Sequence, residues 1–219
     1  MTSTMLAKGE RVALRPTTDD DLSFVLSAEG QTDLVRHWSR ERHREAMAAP
    51  SEAHWIVRTT LHARRVGYVI LTGLGTPDRS VALQRIVIHE PGRGFGRDSL
   101  RLIKRLAFGP LGAHRLWLDV MEHNERARAL YLSEGFVPEG TLRECLRVGD
   151  RFVSLEILSI LEQEHARAGS MASCGADSHA PTDAPAPHDH RSRETAGCGA
   201  DRGTAFPPPY VGEVRRGGR

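Results

Sequence analysis

The chain has no uninterrupted apolar run long enough to span a bilayer, and its opening residues, MTSTMLAKGE, carry no apolar core of secretory length. A cytoplasmic address without a membrane partner is expected. Cysteine is scarce: Cys145, Cys174 and Cys198 form an odd, widely spaced set, which suits a reducing compartment and argues against a disulfide framework. Net charge is almost absent, since Lys+Arg 30 against Asp+Glu 28 leaves +2, so the chain as a whole does not track nucleic acid. Any basic function must be local. Leu and Ile disappear after Leu161, while half of the 12 prolines lie beyond it. Such a segment cannot bury enough apolar surface to offset the entropy of ordering it. The expected organisation is a short lead over 1–9, one domain over 10–163, and a disordered low-complexity tail over 164–219. The tail repeats CGAD at Cys174–Asp177 and Cys198–Asp201, with His179, His188 and His190 between the copies. Neither cysteine belongs to a CxxC pair and no apolar residues flank them, so no metal is expected.

The chain is 39% apolar, enough for one well-buried core. Residues 10–16 alternate as a short strand, and Thr18 with Asp21 three positions on forms a capping box that opens a helix. A second helix is expected over about 31–48. Strands follow at 54–60, 66–73 and 81–89, separated by turn-rich segments and paired antiparallel. From Gly96 to Phe108 the period changes: Gly96, Leu100, Ile103 and Ala107 share one side, with Leu102 and Leu106 beside them, and Arg97, Asp98, Arg101, Lys104 and Arg105 lie opposite. A strand over 115–120, a helix from Glu125 capped by Asn124 and ended by Gly135, and two strands over 136–145 and 151–161 complete the domain.

Between the third strand candidate and the amphipathic helix stands EPGRGFGRDSL, with glycine at 92, 94 and 96. A strand running into such a turn and then a helix gathers unpaired backbone amides at the positive end of the helix dipole. Glycine lets the backbone take positive φ and lie directly against a ligand. The combination implies a phosphate or pyrophosphate site, with Arg93 and Arg97 as further donors. A P-loop would need GK[ST] where Gly96 is followed by Arg97-Asp98. A dinucleotide site would place Asp119 on the ribose, but the spacing is GxGxG and no second mononucleotide half follows.

Two separated stretches carry a resemblance. RGFG at the strand–helix turn, and Asn124, Ala127, Tyr131 and Gly135-Phe136 in the pattern N-x-x-A-x-x-x-Y-x-x-x-GF, closely resemble the GNAT superfamily of acyl-CoA N-acyltransferases over about Glu10 to Leu161. The ending TLRECLRVGDRFVSLEILSIL is similar to the branch holding ribosomal-protein N-terminal and spermidine acetyltransferases. The resemblance implies an α+β fold with a mixed, mostly antiparallel sheet of about six to seven strands flanked by about four helices. It implies acetyl-CoA as cosubstrate, with its pyrophosphate on the amides of Arg93, Gly94, Phe95, Gly96 and Arg97. The pantetheine would lie along Ile86, Val87 and Ile88, Asn124 would contact the cofactor, and Tyr131 would stand near the thioester sulfur. Pro91 departs from the family pattern and removes one amide donor from the turn.

Acetyl transfer to an amine needs a neutral amine, a polarised carbonyl and a proton for the leaving thiolate. An amide near Val87 suits the second role and the Tyr131 phenol the third. Many family members place a glutamate on the strand before the glycine turn, where this chain reads VALQRIVI. His89, Glu90, Glu144, Glu156 or a water chain stay open as the base. Cys145, in a strand, reads as a small core residue, so direct attack in a ternary complex is expected rather than an acyl-enzyme. The acceptor is a protein N-terminus or a small-molecule amine such as a polyamine. Asp19, Asp20, Asp21 and Glu29 are acids that could attract it, and Trp38 and Trp55 are candidate walls. A second copy of the chain is left open as a partner. The rival readings are a non-catalytic acyl-CoA-binding module and, behind it, a dinucleotide-binding protein.

Overall fold

A computed structural model describes residues 5–32 and 34–173. Both CGAD copies, the histidines between them and the terminal arginines lie outside the described residues. Eight strands form one sheet: β1 (Ala7–Lys8), β2 (Val12–Pro16), β3 (Glu52–Thr59), β4 (Arg65–Thr72), β5 (Ser80–Ile88), β6 (Arg115–Met121), β7 (Val137–Val148) and β8 (Arg151–Leu161). Five α-helices accompany them: α1 (Leu22–Glu29), α2 (Arg40–Ala48), α3 (Phe95–Phe108), α4 (Glu125–Ser133) and α5 (Glu162–Ser173). The α+β expectation holds, with one strand more than the upper estimate and one helix more than expected. β1 to β5 form an antiparallel meander, β6 joins β5 in parallel, and β8 inserts between β6 and β7.

Period-two alternation sends apolar residues to both faces of the sheet. In β4, Val69 and Leu71 join a core built with Leu100, Ile103 and Ala107 of α3 and Tyr131 of α4. Tyr68 and Ile70 of the same strand meet Val25 and Ala28 of α1, Trp38 and Ala46 on the other face. The sheet is therefore sandwiched between α3–α4 and α1–α2.

Four local expectations change. The helix expected over 31–48 begins only at Arg40, after Ser39 caps it, because Glu29 Oε2 accepts the Trp38 backbone N–H at 2.8 Å and pins the preceding segment as a loop. Lys104, placed on the solvent side by periodicity, is buried, since Glu134 at the end of α4 accepts from its Nζ through both the carboxylate and the backbone oxygen. Cys145 is exposed rather than a core residue. β7 is the edge strand, and its register breaks between Leu142 and Leu146, so the intervening residues leave the ladder and turn outward. Where composition ends the domain at 163, the last strand passes into α5, whose His165 stacks on Phe108 of α3.

Candidate active site

β5 and β6 are hydrogen-bonded neighbours over only three pairs, Ser80↔Arg115, Val81↔Leu116 and Ala82↔Trp117. Beyond them the strands part, although β5 continues to Ile88 and β6 to Met121. The divergence has a local cause. Gln84 is bulged out of the β4–β5 register, which jumps from Leu71↔Leu83 to Ile70↔Arg85. Ile86, Val87 and Ile88 stay paired to β4 on one edge and face the gap with the other. Gly67 of β4 has no side chain there because a Cβ would strike the Val87 carbonyl oxygen. A gap between two parallel strands, with open backbone groups along β5, is a seat for an extended ligand arm that pairs like a strand.

At the far end of β5, Gly92 and Gly94 take φ of 86° and 77°. Gly94 is the N-cap of α3, and the first helical bond runs from the Asp98 N–H to its carbonyl at 3.0 Å. The amides of Phe95, Gly96 and Arg97 precede that bond and have no helical acceptor. They are gathered at the positive end of the helix, as an anion cradle requires. Gly96 itself is not a positive-φ residue; a Cβ there would lie 3.5 Å from Leu130 Cδ2, so its small size serves the packing of α3 on α4.

The arginines divide their roles differently from expectation. The Arg97 guanidinium donates to Glu134 Oε1 at 2.8 Å, so it fastens α3 to α4 and only its backbone amide is offered to a ligand. Arg93 is largely exposed and pairs with Glu90 at 3.1 Å. Arg11 joins them: its Cδ would lie 3.3 Å from a Cβ on Gly94, which brings a third cation to the turn. Nothing local marks it, because β2 is brought there by Asp98, whose carboxylate accepts the Arg11 and Val12 N–H groups at 2.7 and 2.9 Å.

Tyr131 of α4 is buried in the core beside Phe136, and its hydroxyl has no hydrogen bond among the described residues. Burial, and after it the charge of Asp119, pushes the phenol above its ordinary value, so it is held protonated as a proton donor. Asn124 caps α4, accepting the Ala127 N–H at 3.2 Å through Oδ1, and its amide NH2 remains available to a ligand.

The acids proposed to attract an amine are mostly engaged elsewhere. Asp21 is gripped by both terminal nitrogens of Arg15, at 2.6 and 2.7 Å, and by Arg65. Glu29 is buried against Arg85, the Tyr68 hydroxyl at 2.7 Å and the Trp38 N–H. Burial would raise its carboxyl, but His43, Arg85 and the two donors together hold it at about 2. The His43 ring nitrogen faces Glu29 at 3.4 Å without a well-aligned hydrogen bond, so the Arg85 contact is the firmer one. Asp19 is exposed and pairs with Arg44 at 2.7 Å. Trp38 and Trp55 are buried, Trp38 between the guanidinium groups of Arg42 and Arg85 at 4.3 and 4.2 Å from its ring.

Two of the candidate bases are committed to ion pairs. Glu90 pairs with Arg64 and Arg93, and Glu156 with Arg128 at 2.5 Å. Glu144 stands on edge strand β7, separated from β6 by β8. His89 lies against Phe24, with Nε2 buried and unpartnered. A further carboxylate, Asp119 of β6, lies two residues beyond the last β5–β6 pair and is exposed between buried Leu118 and Val120. Sequence spacing had connected it only with a ribose. Among the described residues no group of His, Cys, Asp and Glu is arranged to hold a metal, and no helix is long and apolar enough to cross a membrane.

Residues 11–137 match the family described as Acetyltransferase (GNAT) domain. A spermidine N(1)-acetyltransferase of Vibrio cholerae is 24% identical over 166 residues, covering 71% of this chain and 95% of that protein. The spermidine N(1)-acetyltransferase of Escherichia coli K12 is 26% identical over 142 residues, covering 60% of this chain and 75% of its own. A crystal structure of the Vibrio cholerae spermidine N-acetyltransferase in complex with CoA and spermine superposes with a TM-score of 0.65 at 23% identity, covering 71% of this chain and 98% of that one. This likeness carries the fold.

Proposed function

The chain belongs to the acetyltransferase (GNAT) domain family and is an acetyl-CoA-dependent N-acetyltransferase; we propose that its acceptor is a cationic primary amine of the polyamine class. What supports the reading is the conjunction of the α3 N-terminal amides behind Gly94, the β5 edge that β6 leaves open beyond Ala82, and the buried Tyr131 phenol held protonated.

In this reading the Phe95, Gly96 and Arg97 amides bind the pyrophosphate, with Arg11 and Arg93 adding charge at the mouth. The Arg93 and Gly94 amides complete the turn, and the free edge of Ile86, Val87 and Ile88 pairs with the pantetheine. Asn124 offers its amide beside it. The bound cosubstrate supplies an activated acetyl thioester. An amide of the open β5 edge beside Val87 polarises the thioester carbonyl, and Tyr131 delivers its phenol proton to the departing sulfur. Direct attack of the amine in a ternary complex needs no cysteine, and Cys145 stands exposed on edge strand β7. The polyamine class is supported by the relatives and by the exposed Asp119 carboxylate; a protein N-terminus is the alternative acceptor.

Calorimetric titration with acetyl-CoA, beside NADH as control, tests the cosubstrate site. Thiol release with spermidine, spermine, simple monoamines and short peptides then tests the acceptor. Turnover on polyamines at least about tenfold above peptides is the expected result. Preference for peptides would overturn the acceptor assignment, and binding of NADH alone would overturn the site.

A further inference from the structure

Polar side chains buried in a protein must find their partners there. One group of them lies apart from the acetyl-CoA elements, between α2 and the sheet. His43 of α2 is 0% exposed, His54 of β3 is 4% exposed, and Thr17, just after β2, is 7% exposed. The Thr17 hydroxyl lies 2.9 Å from His54 Nδ1, and His54 Nε2 lies 3.0 Å from His43 Nδ1. His43 Nε2 faces Glu29 Oε1 of α1 at 3.4 Å. One placement of protons suits all three contacts. A bare ring nitrogen is repelled by a carboxylate, so His43 Nε2 carries its proton and His43 Nδ1 is an acceptor. His54 Nε2–H then donates to it, and the Thr17 hydroxyl donates to His54 Nδ1. Both rings are neutral in this arrangement.

Among the described residues, a proton added to the pair meets no free counter-charge. Glu29, the carboxylate nearest to it, is already ion-paired with Arg85 of β5 and accepts from the Tyr68 hydroxyl of β4. Asp21, at the start of α1, is held by Arg15 and Arg65. Both rings are shut off from water, so a protonated pair is an unmatched buried charge. Burial, and after it His43, hold the His54 ring at about 3 against an ordinary 6.5; Glu29 and Asp21 oppose this, and Arg85 adds to it.

The pair fastens α2 and the segment before it. Ser39 caps α2 directly after Trp38, whose N–H is bound by Glu29. Val35, Trp38 and Ala46 pack on the same face of the sheet as Tyr68. Val35, Arg36 and His37 line a cavity of about 140 Å³ with Met121 of β6 and with Arg147 and Val148 of β7. We propose that Thr17, His54 and His43 form an acid-released latch: below neutral pH the pair takes up a proton, α2 leaves the sheet with residues 34–38, and the cavity loses that wall. α3 packs on the opposite face and stays in place.

Acid favours the open state. A ring that titrates near 3 when closed and near 6.5 when open shifts the balance toward opening as pH falls between those values. From pH 7 to pH 5 the open population rises about 25-fold. Glu29, held at about 2, stays ionised throughout that window.

Hydrogen exchange of peptides spanning 34–48, corrected for intrinsic rates, measures the opening, with α3 peptides as the internal reference. Wild type should lose about 10- to 30-fold protection over 34–48 from pH 7 to pH 5, while α3 changes less than about threefold. His54→Gln keeps an amide donor toward His43 without a titrating ring, and should flatten the dependence. Exchange over 34–48 that merely tracks α3 in the wild type overturns the latch without any variant. An unchanged pH dependence in folded His54→Gln overturns it as well. The readout is independent of the acetyltransferase reading.

Discussion

Replacing Tyr131 with Phe removes a single oxygen from the buried inner face of α4. That hydroxyl makes no hydrogen bond among the described residues, so its loss orphans no partner, and the ring keeps its contact with Phe136 at 5.9 Å. Stability should therefore move by less than about 0.5 kcal/mol. At this chain length that is a shift of about 2 °C or less in Tm. Acetyl-CoA affinity should also persist, because the phosphate cradle and strand edge are untouched. The chemical step loses its proton donor. A positioned general acid contributes about 10²- to 10⁴-fold. The expected fall in kcat corresponds to about 3 to 5 kcal/mol of barrier. Thiol release at saturating acetyl-CoA and amine measures it, with calorimetry for the cosubstrate. Equal turnover in the two proteins, or a loss of acetyl-CoA affinity as large as the loss of rate, would refute the assigned role.

Gly94→Val forces a branched side chain into a φ of 77° and against Arg11, so acetyl-CoA binding should become undetectable by calorimetry while the far-ultraviolet circular dichroism is retained. Glu29 is held at about 2 against an ordinary 4.5, so its contribution is complete above pH 5 and is lost as pH falls toward 2. The shift corresponds to about 3 kcal/mol, and urea midpoints at pH 7, 4 and 3 should fall more steeply for wild type than for Glu29→Gln. A parallel decline in both would show that the depressed carboxyl is not coupled to folding. Glu134→Ala strips the carboxylate from buried Lys104 and should cost about 3 kcal/mol in denaturant unfolding, since Lys104 keeps only the backbone oxygen of residue 134. A loss below about 1 kcal/mol would place that charge cluster with ordinary surface pairs.

Local patterns were readable without coordinates. The apolar stripe of α3, the Asn124 cap, the positive φ at Gly92 and Gly94 and the two-sided burial of the central strands follow from periods of 3.6 and 2 and from glycine's freedom. Those features place a cradle and a phenol in sequence, and the RGFG and Asn124–Phe136 patterns connect them to one chemistry. Only the folded chain decided how separated charges meet. Glu29 meets Arg85 across 56 positions, Arg97 turns to Glu134 across 37, and Arg11 reaches Gly94 because Asp98 draws β2 onto α3. Asp119 is the clearest case: its strand reads as ordinary alternation, and its position beyond the last β5–β6 pair depends on β6 leaving β5 after three pairs. Periodicity reports which face of an element is apolar. Strand order and register determine which charge lies across from which, and they are set by the packing of the whole sheet.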